Sequence, residues 1–237
     1  MNQTAYQPPT WTMMPPVIKN LLIINGLAFF ATLSPQLQAL LFEWFALWPA
    51  GVPDQVVDYA REFRPVGEFY PWQLVTTAFL HGGFGHILFN MFGLWMFGMR
   101  IENTWGSQRF AYFYFFCVLG ASLLQLAVTS FPFLLGSAPY PFPVPTVGAS
   151  GGVFGVLLAF GMMYPEERVM LLFPPIPIKA KWFVTGLIVL QLYAGVTGTQ
   201  AGVANFAHLG GALAGYLLIQ YWRGKLPIGP QPRRSVY

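Results

Sequence analysis

Charged residues are scarce in this sequence. They make up 8% of the 237 residues, whereas soluble domains carry about 25%, and hydrophobic residues reach 55%. This composition excludes an ordinary soluble globular domain and predicts an all-α, polytopic membrane protein. The length suits one compact bundle of about six helices of ~20 residues each. We therefore treat residues 1–237 as a single domain.

Cysteine and N-terminal basic residues are also lacking. Cys117 is the only cysteine, which excludes an intrachain disulfide. The N-terminal tail, residues 1–16, has no Lys or Arg and does not resemble a cleavable signal peptide, so the first apolar run is expected to remain as a membrane anchor. The net charge of +4 does not indicate a nucleic-acid partner, because the basic residues flank apolar runs.

Six apolar runs predict a six-transmembrane-helix bundle. The runs are Ile18–Leu33, Phe84–Met99, Phe110–Thr129, Ser150–Tyr164, Trp182–Thr197 and Phe206–Trp222. With the N-terminus in the cytoplasm, only Arg61 and Arg64 among the 12 Lys and Arg residues fall on the outer side, as the positive-inside rule requires. An even number of spans then places both termini in the cytoplasm.

The segments outside the six runs are a long outer loop, residues 36–83, and two tails. Within the loop, the segment Leu40–Trp48 is apolar around a single acid, which is typical of a segment lying at the membrane interface. The C-terminal tail, residues 224–237, is rich in proline and basic residues. We expect it to be a disordered cytoplasmic tail near anionic lipid.

The fourth run is too short to cross the bilayer fully. A helix from Ser150 to Tyr164 covers roughly 22 Å, less than the ~30 Å hydrocarbon core. Ser150 must then lie below the outer surface, and the preceding proline-rich loop must dip into the membrane (Pro132, Pro141, Pro143 and Pro145). Irregular backbone at that depth is buried by protein or lines a water-filled cavity. The sequence therefore predicts a membrane-embedded, water-accessible site with Ser150 at its floor.

Three histidines lie in or beside these apolar runs: His81, His86 and His208. Ionisable groups are costly in a membrane and are functional candidates there. His86 and Asn90 are four residues apart, so they share one helix face. The alternative interpretation of each is an interhelical hydrogen bond.

Small residues surround the two remaining candidates. Gly148 and Gly151 flank Ser150, and Gly211 and Gly215 follow His208 at small-xxx-small spacing. Such residues allow close helix packing, which is their alternative interpretation. Packing the sixth run against the start of the fourth brings His208 to the Ser150 hydroxyl.

A serine hydroxyl needs a base to become a nucleophile, and His208 could take its proton and return it to a leaving amine. No Asp or Glu lies within any of the six runs, so a Ser–His dyad would lack a buried acid to orient the base. Asn90, His86 and the Ser150 backbone N–H are the available donors to an oxyanion.

Three motifs together resemble those of the rhomboid family of intramembrane serine proteases, over about Phe69 to Tyr221. The motifs are His81-x4-His86-x3-Asn90, Gly148–Ala149–Ser150–Gly151, and Ala207–His208 followed by Gly211-x3-Gly215. The segment Glu102–Ser107 with Arg109 also resembles the family's turn between its second and third spans.

The resemblance implies a role for each matched residue. Ser150 would be the nucleophile and His208 the base, His86 and Asn90 would be oxyanion-side donors, and His81 would be a supporting position. Two departures stand out. Gln73 follows Trp72 where many bacterial members have arginine, so anchoring of the first loop is open. Phe154 stands where some members have tyrosine; it can still stack on His208 but offers no hydroxyl.

The resemblance thus implies an endopeptidase that cleaves transmembrane segments of other membrane proteins, with substrate helices that unwind easily. The protein would lie in a bacterial inner (plasma) membrane and need no cofactor or metal, and the gate would be a mobile fifth span with the loop Gly198–Asn205. One alternative is a non-catalytic rhomboid-like protein that binds membrane clients. Another is a transporter or metal site built from the three histidines, which the absence of carboxylates in the spans disfavours.

Overall fold

The computed structural model describes residues 11–62, 66–136, 142–171, 175–199 and 204–227, and most of these are helical. The ends of both predicted tails lie outside the described residues. In chain order the helices are α1 (Pro16–Ala31), α2 (Pro35–Phe45), α3 (Asp54–Arg61), α4 (Gln73–Thr76), α5 (Phe84–Gly93), α6 (Met99–Trp105), α7 (Ser107–Leu134), α8 (Ser150–Met163), α9 (Ala180–Thr197) and α10 (Asn205–Trp222).

Each of the six apolar runs forms a helix or part of one: α1, α5 with α6, α7, α8, α9 and α10. By length and hydropathy, α7 and α9 are long and apolar enough to cross a membrane, and α1 and α8 are shorter apolar helices. Large apolar side chains are exposed on the outer faces, among them Leu27 at 66%, Phe89 at 67% and Val196 at 73%. An exposed apolar surface of this extent is typical of contact with lipid.

The helix that contains the second run is longer than predicted. Helix α5 continues through a π-helical segment, Leu94–Gly98, into α6 and ends only at Gly106. The predicted end at Met99 is therefore wrong. The charged Arg100 does not end the helix, because its guanidinium binds Glu167 (2.8 Å) and lies over the Tyr164 ring. Gly106 ends it with a positive φ of 82°, which glycine adopts without strain.

Helix α7 extends beyond the predicted third run at both ends, and Pro132 lies inside it rather than in the following loop. A proline removes a single i→i−4 hydrogen bond. Near the C-terminal end this loss does not prevent the last turn of α7 from forming.

The described chain is not entirely helical. A short antiparallel hairpin between α8 and α9 pairs β1 (Arg168–Met170) with β2 (Pro177–Lys179), with Val169 opposite Ile178. The all-α prediction needs this correction. A strand of three residues is too short to give a recognisable period-two pattern.

Close helix packing positions the bundle around α10, which lies against both α7 and α8. A Cβ on Gly211 of α10 would overlap the carbonyl oxygen of Gly151 in α8, and a Cβ on Gly120 of α7 would overlap Ala214 of α10. Since neither a backbone atom nor a Cβ bonded directly to the backbone can move aside cheaply, only glycine fits at these crossings. The start of α8 is thereby held against the first half of α10.

Glu102 is buried in α6, although the sequence placed no acid in the apolar runs. Its carboxylate accepts hydrogen bonds from the backbone N–H groups of Val17 and Ile18, both at 2.9 Å, and from the Ser107 hydroxyl at 2.6 Å. The first N–H groups of a helix lack partners within the helix, and a negative charge there also suits the helix dipole. Glu102 thus fixes the start of α1 against α6.

The loop predicted to lie on the outer side, residues 36–83, is anchored next to the start of α8. Leu47 and Thr146 exchange two backbone hydrogen bonds, of 3.0 and 2.8 Å. The fully buried Gln73 donates to the Glu68 carbonyl (2.7 Å) and accepts from the Trp48 N–H (3.2 Å). Gln73 therefore anchors this loop with its amide. Helix α2 ends at Phe45, and residues 46–48 are buried, so the last part of the predicted interfacial segment packs into the protein.

Candidate active site

Ser150 is the first residue of α8, and the backbone before it requires glycine. Gly148 has a φ of 132°, and a Cβ there would lie 2.7 Å from Nε2 of His86. The Gly148 N–H donates to the Thr77 carbonyl at 3.0 Å, which fixes the turn that leads into the helix. The N–H groups of the first turn of α8 have no acceptor within the helix, so they are available beside the Ser150 hydroxyl.

His208 lies opposite Ser150 in the first turn of α10. Its Nε2 is 2.7 Å from Ser150 Oγ, a hydrogen-bond distance. The Phe154 ring is stacked on the imidazole, with ring centroids 4.4 Å apart and planes inclined by 6°. Close packing of Gly211 on Gly151 brings the two helices near enough for this contact.

The other ring nitrogen of His208 also has a partner. Nδ1 lies 2.7 Å from Oε1 of Gln191, a largely buried side chain of α9. The sequence motifs do not indicate this residue, so the predicted dyad lacks an orienting group for its base. The available signal was a lone glutamine in the apolar fifth run, which gives no direction for its side chain.

His86 lies next to Gly148, beside Ser150, and both Asn90 and His81 contact His86. The Gly82 N–H donates to Nδ1 of His86 at 3.4 Å, which leaves Nε2 of a neutral ring to carry the proton. This Nε2–H is directed toward Gly148, next to Ser150. Asn90 Nδ2 donates one hydrogen bond to the His86 carbonyl (3.0 Å), so its second N–H is left for another acceptor. His81 is fully buried, with its ring edge-on to His86 at 5.1 Å.

A small cavity adjoins Ser150, between α7, α8 and the loop before α8. Its lining includes the polar side chains of Thr77, Ser122, Gln125 and Thr146. Gln125 accepts a hydrogen bond from the Ala207 N–H at 3.2 Å, next to His208. A polar-lined cavity beside a hydroxyl can hold water.

Metal binding was the remaining alternative for the histidines. Within the described ranges, no group of three or more His, Cys, Asp or Glu side chains is placed to hold a metal ion. Gly215, the other glycine of the predicted packing face, lies against Phe113, Cys117 and Gly155 and serves helix packing rather than the site itself.

Comparison with known proteins is consistent with this arrangement. The model of the Rhomboid domain matches residues 68–224. Among similar proteins, RHOMBOID-like protein 5 of Arabidopsis thaliana is 35% identical over 67% of this chain and 46% of its own length. Rhomboid protease GluP of Bacillus subtilis is 29% identical over 81% of this chain and 34% of its own.

Rhomboid protein 1, mitochondrial, of Saccharomyces cerevisiae is 32% identical over 61% of this chain and 40% of its own length. The chain thus spans less than half the length of these curated relatives. The matched region contains α4 to α10 and every candidate site residue. The family resemblance inferred from the sequence motifs is confirmed, and the chain belongs to the rhomboid family of helical membrane proteins.

Proposed function

We propose that this protein is an intramembrane serine endopeptidase that cleaves transmembrane segments of membrane proteins with Ser150 and His208. The observation that carries the proposal is the 2.7 Å hydrogen bond between Ser150 Oγ and His208 Nε2 at the N-terminus of an apolar helix. A nucleophile with an adjacent base is the arrangement that acyl transfer requires. Membership of a family that includes a protease, GluP, supports the same conclusion.

The chemistry follows from the two side chains. Ser150 Oγ attacks the carbonyl carbon of the scissile peptide bond while His208 Nε2 takes the hydroxyl proton. The imidazolium then gives this proton to the amide nitrogen, the C–N bond breaks, and an acyl-enzyme remains on Ser150. A water molecule activated by the same nitrogen hydrolyses the ester and restores the free serine.

The negative charge on the carbonyl oxygen needs hydrogen-bond donors during both steps. The Ser150 backbone N–H, the Nε2–H of His86 and the second N–H of Asn90 are the groups available. Gly148 is only partly buried and leaves the backbone before Ser150 open for a substrate strand to approach. Gly151 instead allows α8 to pack closely on Ala121 of α7. His81 supports this side by packing against the His86 ring.

The surroundings support a membrane-embedded substrate. We propose that α1, α5 with α6, and α7 to α10 form a six-span bundle in a bacterial inner membrane, with both termini cytoplasmic and one domain over the whole chain. The polar cavity beside Ser150 would supply hydrolytic water inside the bilayer. A substrate must present an extended peptide bond at Ser150, so transmembrane helices that unwind easily are favoured. Movement of α9 and the following loop would admit them; residues 200–203 of that loop lie outside the described residues.

The test is cleavage of a fluorogenic transmembrane peptide by the purified full chain in detergent, beside Ser150→Ala and His208→Ala. We expect each change to lower kcat by at least about 10³-fold, because neither group works without the other. Added chelator should leave the parent activity unchanged.

Circular dichroism and thermal unfolding serve as the control that both variants keep the helical fold. Activity that survives Ser150→Ala would refute the proposed nucleophile. A parent protein that cleaves none of several substrates would favour a non-catalytic protein that binds membrane clients.

A further inference from the structure

A histidine that takes a proton from Ser150 at Nε2 must hold its own proton at Nδ1. In a neutral imidazole one nitrogen donates and the other accepts, and the partner of the second nitrogen decides which form is present. If Nε2 carried the proton, it would donate to Ser150 Oγ and could not act as its base. The site therefore needs a hydrogen-bond acceptor at Nδ1.

Gln191 provides this acceptor. Its Oε1 lies 2.7 Å from Nδ1, and the side chain is 8% exposed, so water does not compete strongly for the bond. A hydrogen bond in such a shielded position constrains geometry more than one at a solvated surface. The ring of His208 is thus fixed at both nitrogens and on one face, by Gln191, Ser150 and Phe154.

No acid is available for the same task on the helices around His208. The sequences of α7, α8, α9 and α10 contain no Asp or Glu. Phe154 covers the ring but offers no acceptor oxygen. Among the residues that the structure describes, Gln191 is the group placed to accept a hydrogen bond from Nδ1–H.

We propose that Gln191 is a positioning residue that sets the tautomer and orientation of His208, which makes the site a Ser–His–Gln arrangement. This inference rests on the proposed peptidase function. An amide oxygen can hold the ring in place as a carboxylate does in a Ser–His–Asp triad. Because the amide is uncharged, it adds no uncompensated charge to the membrane while the imidazole is neutral.

The hydrogen bond also links the base to α9. Four residues of this helix are buried, namely Ala180, Val184, Gln191 and Ala194, and nine of its 18 residues are exposed, so α9 packs against the protein on one side. His208 belongs to α10, and the bond to Gln191 exists only while α9 lies against α10. An outward displacement of α9 that breaks this contact would leave His208 free to rotate or change tautomer. The base is therefore correctly oriented only in the packed state.

The experiment compares Gln191→Leu with Gln191→Glu in the full chain. Leucine keeps the size but removes the acceptor, so kcat should fall about 10- to 100-fold, less than the loss of the base itself, with KM within about twofold because no substrate contact changes. Glutamate restores an acceptor oxygen, and kcat should return to within about threefold of the parent value. Tyr193→Phe, at a residue of α9 that is 60% exposed, is the matched control and should leave kcat unchanged.

A second readout does not depend on activity. The full chain with ¹⁵N-labelled histidine reports the tautomer of His208, whose signals are assigned by their loss in His208→Ala. The parent protein should hold the proton at Nδ1, and Gln191→Leu should populate the Nε2–H form. A merely structural role of Gln191 would not change this ratio.

The outcomes separate the two proposals. A parent protein that cleaves no substrate refutes the peptidase function. A parent protein that cleaves, while Gln191→Leu keeps its kcat or the parent ring is protonated at Nε2, refutes the role of Gln191 alone. A loss in kcat restored by glutamate, together with the tautomer shift, establishes the positioning role.

Discussion

At the scale of single residues, the site depends on how one imidazole ring is held. Gln191 and Ser150 fix the two nitrogens of His208, and both distances are 2.7 Å. Phe154 fixes the plane of the ring by stacking on it. A ring held at three points loses little conformational entropy when the proton is transferred, which is the benefit of a preorganised base.

The Phe154 contact predicts a graded effect of substitution. An aromatic pair is worth about 0.5–1.5 kcal/mol beyond its buried area, so Phe154→Ala should lower kcat about two- to tenfold by loosening the ring. Phe154→Tyr keeps the stacked ring and should keep kcat within about twofold. Peptide cleavage kinetics check both variants, and a tenfold loss in Phe154→Tyr would contradict the view that stacking alone matters.

Glu166 gives a residue-scale prediction outside the membrane-spanning helices. Hydrogen bonds from Lys179 and then Lys181 lower the pKa of its carboxyl from 4.5 to about 2. The ion pairs between Glu166 and the two lysines therefore contribute fully to stability above about pH 4.5. This contribution is lost as the pH falls toward 2. The β1–β2 hairpin should keep this contact throughout pH 5–8.

A ¹³C carboxyl titration of the full chain checks the Glu166 prediction directly. The midpoint should lie near 2 in the parent protein and move toward 4.5 in Lys179→Met/Lys181→Met, because both donors are removed. Since the carboxylate is exposed, the effect on overall stability should be small. A parent midpoint near 4.5 would show that the two lysines do not bind Glu166 in solution.

At the scale of helices, the crossing of α8 and α10 positions the site. Gly211 contacts the Gly151 backbone with no space for a side chain, and Ser150 and His208 lie one residue and three residues from this crossing. A displacement of about 1 Å in an active site can cost about 10²-fold in rate. The glycines therefore affect function through helix separation rather than through chemistry.

Gly211→Ala tests this geometry, with Gly26→Ala as a matched control. The added methyl group should push α10 away from α8. It should lower the free energy of unfolding by about 1–3 kcal/mol and reduce the rate of peptide cleavage about 100-fold. Gly26 in α1 has no atom within 4 Å of the added Cβ, so the same change there should be neutral or stabilising by up to about 1 kcal/mol. Equal behaviour of the two variants would refute the proposed role of the crossing.

The helices also show what sequence patterns can and cannot predict. Long apolar runs predict helices well because membrane thickness sets their length, and all six runs are helical. Their ends are less certain, since the continuation through Arg100 involves its ion pair with Glu167, far along the chain. Glu102 was placed in a turn because its partners, Val17 and Ile18, lie 85 and 84 residues away.

The same distinction applies to the candidate site. The cost of polar groups in apolar runs indicates His208, His86 and Asn90, and the small residues around Ser150 indicate that serine. The structure places His208 and His86 beside Ser150, and Asn90 donates to the His86 carbonyl. Gln191 is not indicated in this way, because the fifth run contains no histidine whose helix face it could share, as Asn90 shares that of His86. Only the orientation of α9 about its own axis, as it packs on α10, directs the Gln191 side chain to His208. The roles of all these residues stay predictions.

At the scale of the whole molecule, charge asymmetry predicts the orientation of the bundle. Of the 12 Lys and Arg residues, only Arg61 and Arg64 belong to the loops assigned to the outer side. Ser150 and His208 lie at the starts of α8 and α10, and His86 lies in the first turn of α5. If alternate helices run in the same direction through the membrane, all three starts lie at one side of the bilayer. The site and the outer loop then face away from the basic side.

This topology depends most on α8, whose 14 residues span only about 21 Å. Fusions of alkaline phosphatase, active only outside the cytoplasm, and green fluorescent protein, fluorescent only inside, test it in a bacterial host. With six spans, phosphatase should be active after Val52 and after Gly198, and fluorescence should follow fusion after Pro175 and after Tyr237. If α8 does not cross, the fusions after Pro175, Gly198 and Tyr237 change sides together, while the one after Val52 does not. That pattern would place His208 on the opposite side from His86 and contradict the proposed site.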